Sequence, residues 1–137
     1  MAESVRVTLE QERAQKALEM VKEVKEMSNE TTKKKYRSYA KSASTLILTN
    51  GLAQTLAFWN ANTTKTGPDA EAYKKLLNHM ALLVAGENYS ENIQQFIESE
   101  IEKPVSQYRR DTKVALASLV WLKRFADAML PEESGGE

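Results

Sequence analysis

The residues able to do chemistry are few. The 137-residue chain has one histidine, His79, in "KLLNHMALL", and no cysteine. That composition removes thiol nucleophiles, thiolate metal sites and disulfides, and it fits a reducing compartment. His79 has no second histidine or carboxylate at helical metal-ligand spacing, so it reads as a structural residue inside an amphipathic helix. Glu98, Glu100 and Glu102 stand two apart. Glu98 and Glu102 would share one side of a helix, but nothing apolar beside them would raise a carboxyl for general-acid work. They read as a solvated acidic face. Walker, GxGxxG and GxSxG patterns do not occur. No catalytic set, no metal site and no cofactor site is expected, and the chain is read as a non-enzyme.

Cations offer more. In "KKKYRSYAK", Lys34, Arg37 and Lys41 fall on one helix face, flanked by Lys33 and Lys35 and interleaved with Tyr36 and Tyr39. Positive charges at that spacing, with aromatics able to pack on sugar or base, fit a nucleic-acid backbone. The alternative is that both tyrosines anchor the edge of a core and the lysines only solubilise it. "WLKRFADA" adds Lys123 and Arg124, whose stems can cover apolar surface beside Trp121.

Charge is segregated along a chain whose formal net charge is zero. Residues 31–68 carry six basic residues and no acid, 86–102 carry five acids and no base, and 103–124 carry six bases against Asp111 alone. Such a chain can present one cationic and one anionic face. Clustered carboxylates repel phosphate, so Glu98 and Glu102 are expected at a protein interface.

These groups need helices to hold them. The length suits one domain over residues 1–137, with an ordered core over about 8–130 and a flexible tail at 131–137. "MAESVRVTLEQERAQ" has no apolar centre and does not read as a secretion signal. No apolar run reaches the roughly 18 residues of a membrane span. A cytoplasmic location is expected. Thr8 and Gln11 form a capping box for a first helix to about Met27, with Ala14, Ala17, Leu18, Val21 and Val24 as its stripe. "SNETT" reads as a connection, and a second helix starts near Lys33. Its stripe of Tyr36, Ala40, Ala43 and Ile47 slips phase at Asn50-Gly51, after which Leu52, Leu56 and Trp59 form a new one. Helical spacing on both sides excludes the hairpin that Asn-Gly signals between strands. The pair predicts the end of one helix and the start of the next, or a kink.

After a loop at Asn60–Asp69, Pro68 opens a helix that ends near Gly86. Asn88 and Glu91 are spaced as a capping box for a short acidic helix with Ile93, Phe96, Ile97 and Ile101 inward. Pro104 precedes a last helix whose seam is Tyr108, Thr112, Ala115, Leu119, Leu122, Ala126 and Met129. Period-two alternation is not sustained anywhere. The fold class is all-α, a bundle of about six helices with a break near Asn50-Gly51.

Two segments, "KKYRSYAKSASTLILTNGLAQTLAFW" and "YRRDTKVALASLVWLKRFADAML", closely resemble the hallmark segments of the small subunit of the type III-B CRISPR effector, the RAMP-module (Cmr) complex. The resemblance spans the chain to Leu130. It implies a small all-α, non-catalytic protein acting in antiviral defence. Copies of it would stack along a ribonucleoprotein filament, beside other subunits of the effector, and line the path of the guide RNA and its target RNA. On that reading Lys33, Lys34, Lys35, Arg37, Lys41, Lys123 and Arg124 contact RNA. Asn50 and Gln54 add amide hydrogen bonds at a point where the backbone of Gly51 permits close approach of RNA or another chain; the alternative, which is favoured, is that Asn50-Gly51 only lets two helices cross tightly. A helical adaptor with only protein contacts is the competing reading, because a cationic face stacked on an anionic one explains the same charge pattern without RNA.

Overall fold

The computed structural model describes residues 8–86, 89 and 92–132. Among these residues it contains six helices and no strand: α1 (Leu9–Lys25), α2 (Glu30–Asn50), α3 (Leu52–Asn62), α4 (Pro68–Ala85), α5 (Ile93–Glu102) and α6 (Val105–Met129). The expected tail beyond Glu132 and the expected Asn88/Glu91 capping box lie outside the described residues.

Local chemistry sets most helix ends. Thr8 Oγ1 accepts from the Gln11 N–H at 3.0 Å while Gln11 Oε1 accepts from the Thr8 N–H at 2.7 Å, the reciprocal box expected for α1. α2 starts at Glu30, earlier than the expected Lys33, because Asn29 Oδ1 accepts from the Thr32 N–H at 3.0 Å and draws "ETT" into the first turn. α3 runs to Asn62, past the expected loop start at Asn60. Pro68 is the first residue of α4, followed by Asp69 and Glu71 at its positive end. α5 is capped by Asn92, which accepts from the Gln95 N–H at 3.0 Å.

Asn50-Gly51 separates two helices through one residue. The Gly51 N–H closes α2 by donating to the Ile47 carbonyl at 2.8 Å. The Gly51 carbonyl opens α3 by accepting from the Thr55 N–H at 3.2 Å and the Thr55 hydroxyl at 2.8 Å. Gly51 manages both at φ 90° and ψ 159°, a conformation essentially confined to glycine. The two apolar stripes on either side of it are therefore both buried: Tyr36, Ala40, Ala43 and Ile47 before, Leu52, Leu56 and Trp59 after.

α6, the longest helix, packs against α1 and α2, while α4 packs against α2 and α3. One contiguous apolar core takes side chains from all six helices, with Trp59, Tyr36, Leu76, Leu77 and Met80 among its largest members. Ala115, Leu119, Leu122 and Ala126 of the expected α6 seam are fully buried. α5 departs from expectation. Ile101 is 64% exposed, whereas Glu100 is 1% exposed. Glu100 lies three and four residues after Ile97 and Phe96 and shares their buried face, where Lys103 and Asp111 meet it.

Candidate nucleic-acid interface

α2 and α6 run antiparallel, and contacts at both ends fix their register. At one end Arg37 Nη1 donates to the Leu130 carbonyl at 3.0 Å and Arg37 Nε lies 3.3 Å from Asp127 Oδ1. At the other, the Tyr108 hydroxyl accepts from the Ala53 N–H at 2.9 Å. Lys41 is one turn after Arg37 on α2, and Lys123 is one turn before Asp127 on α6. In antiparallel helices both steps run the same way, so Lys41 and Lys123 flank the same seam. Arg124 adjoins Lys123 on the outer side of α6. Lys34 lies two turns before Lys41 on the same side of α2. Lys41, Lys123 and Arg124 are exposed, and none of the three has an ion-pair partner among the described residues.

Other cations singled out in the sequence are engaged within the fold. Lys33 Nζ donates to Glu30 Oε2 at 2.8 Å, which holds the Glu30 carboxyl below its usual range. Lys35 lies 3.9 Å from Asp69, on the α4 side of α2. Arg37 is half-buried and ties α2 to the end of α6. Asn50 and Gln54 are both exposed. Asn50 is nine residues beyond Lys41, so helical register puts it on the opposite side of α2, away from the Lys34–Lys41 side. Gln54 lies on the side of α3 opposite its buried residues.

The tyrosines are not free to stack on bases. Tyr36 is fully buried and its hydroxyl lies 2.6 Å from His79 Nδ1; burial pushes its phenol well above the usual range. Tyr39 stacks on Tyr73 with centroids 4.0 Å apart. Both serve the core and its edge. Trp121 and Phe125 stack on one another, half-buried.

Three cations of α6, Arg109, Arg110 and Lys113, were not singled out in the sequence and are exposed. Arg109, Lys113, Val120 and Arg124 recur at intervals of four, seven and four residues, the outer counterpart of the buried seam. The excess of bases over residues 103–124 was the available signal; separating outward from inward positions would have found them. The stripe is not wholly polar: Val120 on α6 and Leu48, 72% exposed on the Lys41 side of α2, are apolar.

His79 is structural. Its Nε2–H donates to Glu23 Oε1 at 3.2 Å, leaving Nδ1 to accept the Tyr36 hydroxyl, and Lys75 also binds Glu23. Burial lowers the imidazole below its usual range, against the opposing pull of Glu23. The bond to Lys75 holds the Glu23 carboxyl below its own. Among the described residues, no group of three or more His, Asp or Glu side chains is placed to hold a metal ion, and no helix is long and apolar enough to cross a membrane.

On the outward side of α5, Glu98 and Glu102 are exposed beside Ile101, and Gln94 Nε2 donates to Glu98 Oε2 at 3.0 Å. Glu87 and Glu91, also in the acidic block, lie outside the described residues.

The six helices, the exposed cations beside the α2/α6 seam and the acidic α5 define a small all-α protein. The model of the CRISPR-associated protein (Cas_Cmr5) family matches residues 9–129. The chain is 32% identical over 119 residues to the CRISPR system Cmr subunit Cmr5 of Thermus thermophilus, covering 87% of this chain and 93% of that protein. It also matches the crystal structure of a CRISPR-associated Cmr5 family protein from Thermus thermophilus with a TM-score of 0.73 and 31% identity, over 91% of this chain and all of the other. The chain belongs to the Cmr5 family, the small subunits of the type III-B CRISPR complex.

Proposed function

We propose that this chain is a non-catalytic subunit of a Cmr effector complex that contacts RNA along the α2/α6 seam. The observation that carries this reading is the set of exposed cations flanking one seam, Lys41 on α2 with Lys123 and Arg124 on α6, which Lys34, Arg109 and Lys113 extend. Spaced cations with no internal partner attract phosphates whatever the base sequence. One chain makes few such contacts. Stacked copies in a filament, beside the other subunits, multiply them along the guide RNA and target RNA.

The test belongs in the assembled complex. Lys41, Lys123 and Arg124 are changed to alanine together while Arg37 is kept. Target-RNA affinity is expected to fall for all sequences, with the salt slope flattened by about 0.7 for each single-strand phosphate no longer neutralised. Unchanged affinity and slope would leave the adaptor reading in possession.

That second reading has its own support. Ile101 (64%) and Val105 (65%) are exposed beside Glu98 and Glu102. Apolar side chains framed by carboxylates suit a basic protein surface better than RNA. We assign this face of α5 to protein contacts within the complex, with a neighbouring copy or another subunit. The two faces can operate together.

A further inference from the structure

We propose that Glu100 holds a proton at neutral pH beside Asp111, and that this proton steadies the tie that Lys103 makes between α5 and α6. Three observations converge. The Glu100 side chain is wholly buried, and its Oε1 has no hydrogen-bond partner. The Lys103 ammonium bridges the two acids, 2.9 Å from Glu100 Oε2 and 2.5 Å from Asp111 Oδ2. Glu100 belongs to α5, Asp111 to α6, and Lys103 to the link between them. Two carboxylates on one ammonium repel each other, and the buried Glu100 Oε1 has no donor to accept from. A proton on Glu100 removes one buried negative charge.

The surroundings support the same state. Burial, then the bond to Asp111, raises the Glu100 carboxyl to about 7, against the opposing effect of Lys103. Lys103 is itself raised: its two carboxylates outweigh the effect of burial. The neighbouring cleft of about 600 Å³ is lined by Glu98, Glu102, Lys103, Arg110 and Asp111. α4 contributes Val84 and Ala85 to that cleft and no charged group; α3 meets α5 through the uncharged pair Asn60–Gln94. Tyr89 completes the wall. Lys103 and Arg110 are thus the cations on hand, and Glu98 and Glu102 add negative charge from α5 itself.

The sign follows directly. Between the ordinary carboxyl value of 4.5 and about 7, the folded chain holds a proton that the unfolded chain has released. This site therefore loses stabilising power as pH rises through that window. Above it, the tie places two carboxylates on one ammonium and weakens, while Phe96 and Ile97 still pack α5 into the core. The acidic face assigned above to protein contacts rides on α5, so its presentation becomes pH-dependent. The protonated Glu100 stands whether or not that face meets a partner.

The experiment uses the full chain alone. The Glu100 carboxyl carbon is followed by NMR from pH 4 to 9, and melting is measured for the wild type, Glu100→Gln and Lys103→Met. The expected midpoint for Glu100 lies near 7 and moves higher in Lys103→Met. Glu100→Gln, which mimics the protonated acid, is expected to gain melting temperature relative to the wild type as pH rises from 5 to 8. A midpoint near 4.5 would overturn the proposal, as would a Glu100→Gln difference that is the same at pH 5 and pH 8. Should either variant fail to fold, the wild-type titration decides alone. Because no partner or RNA is present, either result leaves the proposed function to its own test.

Discussion

Gly51 carries φ 90°, and a Cβ added there would lie 3.4 Å from the Tyr108 hydroxyl. Gly67 is also positive, at φ 106°, but a Cβ there meets nothing within 4 Å. Both positions resist side chains for backbone reasons; only Gly51 adds a neighbour in van der Waals contact and a shared role in two helices. Gly51→Val is expected to destabilise by on the order of 2 kcal/mol, more than Gly67→Ala, by urea denaturation. Equal shifts would show that the junction tolerates ordinary residues. His79 permits a test by pH. Its imidazole is held below the usual 6.5, so the folded chain binds fewer protons than the unfolded one just below that value. Its contribution is present above 6.5 and is lost as pH falls. His79→Gln is expected to cost about 1–3 kcal/mol at pH 7.5 through the buried Tyr36 hydroxyl, and less at pH 5.5. A constant difference at the two pH values would mean that the ring is not held neutral.

Helix α3 has no side-chain cap of its own, and the Ala53 N–H is served by Tyr108 from α6. Tyr108→Phe removes that acceptor and little volume. The expected loss is about 1 kcal/mol, with amide exchange quickened first at the start of α3. Uniform quickening across all helices would argue against a capping role. At the opposite end of α6, Arg37 ties α2 to Asp127 and the Leu130 carbonyl. Asp127 is substantially exposed, so solvent screens the ion pair and the carbonyl bond carries more of the effect. Arg37→Met is expected to cost about 1 kcal/mol, against less than about 0.5 for Lys41→Ala, by thermal melting. The reverse order would release Arg37 for RNA and assign the clamp to Lys41.

At the scale of the whole molecule, a net charge of zero conceals two unlike surfaces. One is the basic α2/α6 seam and the other the acidic side of α5. Surface charges at such sites steer and orient assembly with little effect on folding. Glu98→Lys with Glu102→Lys is therefore expected to leave the melting temperature of the isolated chain within a few degrees and to weaken its incorporation into the complex, read by size-exclusion chromatography of the reconstituted assembly. Intact assembly with weakened RNA binding would reverse the assignment of this face.

In α1, α2, α3 and α6 the sequence alone determined the main apolar stripe, and it determined the cap of α1 and the break at Gly51; in α5 it did not, since Ile101 turns outward and Asn92 caps. Those features rest on partners three or four residues apart: Thr8 with Gln11, Tyr36 with Ala40, Gly51 with Ile47 and Thr55. The cationic face was legible in the same way, as a set of lysines and an arginine in helical register. Its division was not. Arg37 and Lys41 sit one turn apart on one side of α2, and periodicity cannot say which of them α6 will cover. The Arg37 carbonyl partner is 93 residues away, the Tyr36–His79 pair 43 apart and the His79–Glu23 pair 56 apart. Glu100 and Ile101 exchanged their expected places for the same reason: Asp111, on another helix, helps decide which side of α5 turns inward. Local backbone geometry repeats along a chain and can be read there, whereas desolvation and pairing depend on what packing brings near, and only the tertiary structure decides that.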